Sequence, residues 1–185
     1  LYLEWAIRRH VRVATQVLTI SEASKRDLVR LYGADPARIH VAYPAVDERF
    51  APASAVQIGE VRQRYGLAEH YVLHLGTIKP RKNLPRLVRA FGQAALSPDT
   101  QLVLGGMTTL GGTALEHAIQ EAALGDRVKR LAYVPEVDLP ALYSGASAVA
   151  IVSLYEGFGM PALEALACGA PVVVSNRGSL PELVG

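Results

Sequence analysis

Two glutamates stand eight positions apart around a glycine-rich turn in SLYEGFGMPALEALACG, residues 153–169: Glu156 before the turn and Glu164 after it. Pro161 suits the first position of a helix, where its missing N–H costs nothing. Met160 would then occupy the capping position. Methionine is a poor acceptor there, so the N–H groups of Ala162, Leu163 and Glu164 would lack a side-chain cap. An open helix entrance of this kind favours anions. Gly157 and Gly159 allow a tight turn and a close ligand approach. Helical side chains lean toward the N-terminus, so Glu164 is expected to point back at the same mouth.

A second chemical stretch is GTIKPRKN, residues 76–83. Lys79, Arg81 and Lys82 share one loop directly after an apolar run, ahead of a helix for which Asn83 is the expected N-cap. Three cations at a helix entrance oppose the helix dipole and call for an anion. The two stretches together suit phosphates. Ionised carboxylates only accept hydrogen bonds, so Glu156 and Glu164 must serve other groups, and hydroxyls are their natural partners. Phosphates with several hydroxyls describe a nucleotide sugar. The plainer alternatives are a solvated basic loop and a Glu164 that only complements the helix dipole.

These stretches need a scaffold. From Tyr71 onward, short apolar runs (71–77, 101–106, 127–134, 146–153, 170–175) alternate with helix-like segments (85–95, 113–124, 138–146, 161–168). That alternation implies crossover connections and a parallel α/β sheet with helices on both faces. Ligands bind such sheets beyond the carboxyl ends of the strands. Upstream, 15–21 and 38–44 read as strands, and Ser21 caps a helix to Tyr32 closed by Gly33. Residues 44–55 read as a linker. The division expected is 1–44, the tail of a preceding domain and its connection, and 45–185, most of a second domain. Both ends look abrupt, as in a piece of a longer protein.

Composition restricts the options. The chain has 185 residues, half of them hydrophobic, with a net charge of +2, too small to argue for nucleic acid. One cysteine, Cys168, excludes an internal disulfide and reads as a small buried side chain. No apolar run approaches the roughly 20 residues of a membrane helix. A cytoplasmic location follows as the default. Arg8, Arg9 and Arg12 near Trp5 form a solvated helix face or a peripheral membrane contact. No His/Cys cluster has metal-ligand spacing, and no Asp-x-Asp occurs. His70 and His74 flank a buried strand and read as structural. A nicotinamide-dependent dehydrogenase fails for want of Gly-x-Gly-x-x-Gly after any strand, and a P-loop NTPase for want of its lysine motif.

The sequence resembles the C-terminal half of family 4 glycosyltransferases, the retaining group with the GT-B fold. EGFGMPALE matches that family's Glu-x7-Glu signature. The resemblance extends over GTIKPRKNL, ALYSGASAVAIVSLYEGFG, EALACGAPVVVSNRGSLPEL and the upstream LTISEASKRDLVRLYGADPARIHVAYPAVDERF. It implies a Rossmann-like domain that holds a nucleoside-diphosphate-sugar without a metal ion or other cofactor. The acceptor it implies is a sugar or lipid-linked sugar hydroxyl. Lys82 and Arg81 are implied at the donor diphosphate, and Glu164 at the ribose. Glu156, with the backbone of Gly157, Phe158 and Gly159, is implied at the transferred sugar. Tyr133 and Val134 would flank the base, and Gly76, Thr77 and Met160 would lie against the donor. Two departures stand out: Thr77 where an arginine is common, and Ala45 where the linker often has glycine, which argues against a positive φ there. A non-catalytic nucleotide-sugar-binding module is the competing reading.

Overall fold

The computed structural model describes residues 2–107 and 109–185. In chain order its elements are α1 (Tyr2–Val13), β1 (Val17–Thr19), α2 (Glu22–Tyr32), β2 (Ile39–Val41), α3 (Ala55–Tyr65), β3 (Tyr71–Leu75), α4 (Leu84–Gln93), β4 (Gln101–Gly105), α5 (Gly112–Glu121), β5 (Val128–Leu131), α6 (Leu139–Ser144), β6 (Ala148–Ile151), α7 (Met160–Ala167), β7 (Val172–Val174) and α8 (Pro181–Val184). They form two compact units. One comprises Leu1–Ala45, Tyr155–Gly159 and Asn176–Gly185, and the other Val46–Leu154 and Met160–Ser175.

The larger unit is a five-stranded parallel sheet in the order β5-β4-β3-β6-β7. The strands are short; β3, β4 and β6 are mostly buried, as the apolar runs predict, whereas the edge strands β5 and β7 are partly exposed, because each has a neighbour on one side only. Along β3, side chains alternate between faces. Val72 packs with Leu102, Leu104 and Ala150 against Leu84, Leu87, Val88 and Phe91 of α4 and Leu115 and Ala118 of α5. Tyr71 turns the other way, and its hydroxyl donates to the Leu142 carbonyl of α6 at 2.8 Å. Burial pushes the Tyr71 phenol up to about 12. The chain winds outward from β3 to β5, then returns to place β6 beside β3. The strand order therefore reverses between β3 and β6, the point where open parallel sheets leave a crevice.

The sequence reading passes over α3. Its signals are present: Ser54 and Gln57 form a reciprocal capping box, and Gly66 closes the helix at φ +59°. This helix docks on α6 through Asp138, which is buried and accepts from the Tyr65 hydroxyl at 2.6 Å while pairing with Arg64. Burial alone would raise the Asp138 carboxyl. The bonds from Tyr65 and Arg64 outweigh burial and hold it below its ordinary 3.8. A lowered folded-state pKa adds stability above pH 3.8, which is lost as pH falls through the lowered value. Tyr65→Phe should therefore cost about 1.5 kcal/mol at pH 7, and the cost should shrink as pH falls through the lowered value. Urea unfolding over a descending pH series checks this, and a deficit that does not change with pH would show that the charge is not what the phenol stabilises.

The smaller unit holds β1 and β2 as a parallel pair, with a core of Val11, Ala34 and Ile39. Ser21 caps α2 by accepting from the Ser24 amide, and Gly33 closes it at φ +67°, both as predicted. A second cap comes from far along the chain: the Glu182 carboxylate accepts from the Glu22 and Ala23 amides, each at 2.8 Å. Ala45 has no positive φ, in keeping with its replacement of the linker glycine.

Candidate functional site

In the larger unit, a cleft of about 210 Å³ opens beyond the carboxyl ends of β3, β4 and β5. Its lining includes Gly76 and Thr77 after β3, Gly105 and Gly106 at the end of β4, Tyr133 and Val134 after β5, Leu139 and Tyr143 of α6, and Pro161 and Glu164 of α7. Of the predicted donor residues, Gly76, Thr77, Tyr133, Val134 and Glu164 thus meet in one cleft.

Glycines let its floor close up. Gly106 has φ +134°, and a Cβ there would lie 2.2 Å from the Gly76 carbonyl oxygen. The two loops are pinned by hydrogen bonds from the Gly76 amide to the Gly105 carbonyl and from the Ile78 amide to the Met107 carbonyl, both 2.9 Å. Gly76 itself has φ +141°, and a Cβ there would meet the Lys82 ammonium at 3.6 Å and the His74 Nε2 at 3.9 Å. Lys82, only 7% exposed, therefore faces the backbone at the end of β3. Arg81 is exposed in the same loop, and its carbonyl accepts from the Leu154 amide at 2.8 Å.

Three expectations need correction. Asn83 sits at the start of α4 but does not cap it. Its φ of +58° directs the side chain elsewhere, and its amide donates to the Val152 carbonyl at 3.3 Å, tying the basic loop to the end of β6. Met160 is the first residue of α7, so the capping position moves back to Gly159. The open amides are then those of Met160 and Ala162, not Leu163 and Glu164. His74 lies inside β3 rather than at its flank, fully buried, with Nδ1 donating to the Ala150 carbonyl at 2.8 Å.

Glu164 is half-buried, and its Oε2 accepts from the Tyr143 hydroxyl at 2.8 Å. Burial raises the Glu164 carboxyl above its ordinary value, the Tyr143 bond opposes that rise, and Glu136 adds to it. Cys168 is buried as expected, and burial beside Glu164 pushes its thiol up to about 11. The sequence reading missed Tyr143. Its only signal is the position in DLPALYSGA, and nothing local reveals a partner 21 residues away.

The predicted sugar-side residues belong to the smaller unit. There the turn 155–159 is held by its own carbonyls. Gly157 accepts from the Ser21 hydroxyl at 2.7 Å, and the Ser179 hydroxyl lies 3.0 Å from the Glu156 carbonyl and 2.8 Å from that of Phe158. Tyr155 donates to Asp27 at 2.8 Å. Phe158 is buried beside Tyr43, with ring centroids 6.2 Å apart, so its side chain is committed to packing. Glu156 is 7% exposed. At Gly159 a Cβ would meet Leu180 at 2.7 Å. Among the described residues, no three His, Cys, Asp or Glu side chains gather as a metal site.

Comparison with known proteins agrees with this architecture. The chain is 35% identical to O-antigen chain mannosyltransferase B of Escherichia coli, over 100% of this chain and 49% of the relative. It is 40% identical to the D-inositol 3-phosphate glycosyltransferase of Salinispora tropica, over 94% of this chain and 39% of the relative. It therefore spans about two-fifths to one-half of the relatives it matches. Among solved structures, HepE of Anabaena in complex with UDP and glucose superposes with a TM-score of 0.88 at 30% identity, covering 99% of this chain and 50% of HepE. The Rossmann-like α/β fold expected of a GT-B C-terminal domain is borne out. Residues 59–185 match the model of the glycosyl transferases group 1, and the chain belongs to that family.

Proposed function

We propose that the protein of which this chain is part moves a sugar from a nucleoside-diphosphate donor to an acceptor hydroxyl with retention of configuration. In this reading residues 1–44 close a preceding domain and 45–185 form most of the donor-binding half. The observation that carries it is the glycine-floored cleft at the strand ends, with Glu164 on its wall. Lys82 and Arg81, with the amides at the start of α7 from Met160 onward, take the diphosphate and stabilise the charge that develops on it as the sugar leaves. No metal ion is assigned to that role. Glu164 accepts from the ribose hydroxyls, and Tyr133 and Val134 flank the base. Gly76 and Thr77 let the donor approach the backbone. Glu156 and the backbone of Gly157, Phe158 and Gly159 hold the transferred sugar.

The comparisons guide the choice of probes. HepE was crystallised with UDP and with UDP-glucose, so uridine nucleotides come first. The Escherichia coli relative is a mannosyltransferase, which supports a mannosyl donor as the second choice; the acceptor in this reading is a sugar or lipid-linked sugar. No helix among the described residues is long and apolar enough to cross a membrane. A cytoplasmic enzyme touching the membrane peripherally through α1, where Trp5 is exposed, completes the proposal.

Calorimetric titration of the full-length protein with UDP, UMP, GDP and GMP in EDTA tests this reading. The diphosphates should bind more tightly than the monophosphates, and a strict magnesium requirement would contradict the proposed charge balance. Substitution separates the glutamates. Glu164→Gln removes a charge-assisted bond to ribose and should weaken diphosphate binding roughly 10- to 150-fold. Glu156→Gln should leave that affinity nearly intact and lower turnover. The reverse pattern would exchange the two assignments.

A further inference from the structure

We propose that Tyr143 is a positioning residue for donor recognition: its buried hydroxyl fixes one oxygen of Glu164, so that the other is presented, ionised, to the ribose hydroxyls. The proposal rests on the reading of Glu164 as the ribose ligand and adds a residue outside the Glu-x7-Glu signature.

Four observations support it. The Tyr143 side chain is 1% exposed, so its hydroxyl has no bulk water to turn to, and it bonds Glu164 Oε2 at 2.8 Å. Both residues line the cleft, with Gly76, Gly106 and Tyr133 among the other walls. The tyrosine ring is itself held, since Phe50 packs against it with centroids 6.2 Å apart. The helix that carries it is also anchored, because Asp138 at its start is bonded to Tyr65 and Arg64 of α3. A carboxylate with one oxygen committed to a rigid donor has its plane fixed. Its second oxygen then accepts from a ligand with little further ordering.

The hydroxyl also governs charge. The groups that act on Glu164 are Tyr143 from α6 and Glu136 from the turn before it, and Glu164 in turn raises Cys168 at the end of α7. Burial and Glu136 favour the protonated carboxyl, and the Tyr143 hydroxyl favours the carboxylate. A protonated Glu164 loses acceptor capacity. Without the hydroxyl, the pH below which Glu164 becomes protonated should rise.

The test uses the full-length wild-type protein and three variants: Y143F, E164Q and the double variant. Each is titrated with UDP and GDP and with their 2′,3′-dideoxy counterparts at several pH values between 5.5 and 8. The diphosphate that binds wild type more tightly is the one analysed. At pH 8, Y143F should bind it roughly fivefold more weakly than wild type, the worth of about one hydrogen bond. The deficit should widen toward pH 5.5, and it should vanish for the dideoxy nucleotide and in the E164Q background. Phenylalanine keeps the ring packing, so a merely structural effect would lower affinity equally for both nucleotides at all pH values, and that result would overturn the proposal. So would unchanged affinity in Y143F while E164Q is impaired. If E164Q binds as wild type does, the ribose assignment itself fails, and this proposal with it.

Discussion

Gly106→Ala should cost more than about 4 kcal/mol and abolish nucleotide binding, the largest loss we expect from any single methyl group in this chain. The new Cβ would lie 2.2 Å from the Gly76 carbonyl oxygen, 2.7 Å from its carbon and 3.3 Å from the Thr77 amide. These are backbone atoms of a neighbouring loop, so no rotamer change relieves the clash. The φ of +134° adds strain for any L side chain. Gly125→Ala is the control. Its φ is also positive, at +45°, but nothing lies within 4 Å of the added Cβ. It should cost about 1 kcal/mol and leave binding unchanged. Thermal melts and UDP titrations of both variants compare the two effects. For a chain of this size, about 4 kcal/mol corresponds to roughly 8–16 °C in Tm. Similar melting points for both would mean that positive φ, rather than the close loop crossing, accounts for the glycine.

On the proposed assignment of Lys82 to the donor diphosphate, Lys82→Met should lower kcat of the full-length protein by roughly 10²- to 10³-fold, with a smaller loss of diphosphate affinity. Methionine keeps much of the stem that packs beside Gly76 and removes the ammonium. The reasoning depends on where charge appears. A donor diphosphate already carries negative charge when bound, so some of the loss falls on affinity. Further charge develops as the glycosidic bond breaks, and a preorganised ammonium in a largely buried position responds most strongly to that increment. Arg81 is exposed, and water screens it, so Arg81→Met should cost much less. Single-turnover rates with saturating donor would compare the two. Equal losses in the two variants would place the leaving-group charge nearer the solvent than Lys82 allows.

How much of this was legible in the sequence depends on whether the cause is local. The alternation of apolar runs and helices marked every strand of the larger sheet: burial leaves a continuous apolar mark in β3, β4 and β6, and the spacing between helices located the partly exposed edge strands β5 and β7. Ser21 and Gly33 bracket α2 as expected, because capping chemistry acts over three or four residues. Asn83 shows the limit of that logic. Its side chain suits an N-cap, but the residue also has to turn the chain at φ +58°, and among non-glycine residues asparagine tolerates that conformation well. The choice between the two roles is made by the Val152 carbonyl, 69 residues away. Helix α3 was overlooked beside a proline-rich stretch, although Ser54, Gln57 and Gly66 marked both its ends. Tyr143 and Asp138 carried no local signal, since their partners are supplied by the packing of α6 on α7 and on α3.

The capping of α2 by Glu182 has a consequence for biosynthesis. The carboxylate and the amides it serves are 160 residues apart. At about 5–20 residues per second, a ribosome would add Glu182 roughly 8–32 s after Glu22. Through that interval the start of α2 has Ser21 and water as its partners, and Gly157 reaches Ser21 only after 136 further residues have been added. Completion of this unit is therefore tied to residues translated about 160 positions after its helix α2. A chain stopped just before residue 176 would have all five strands of the larger sheet made, yet leave α2 without its distant cap and exposed to chaperones and proteases.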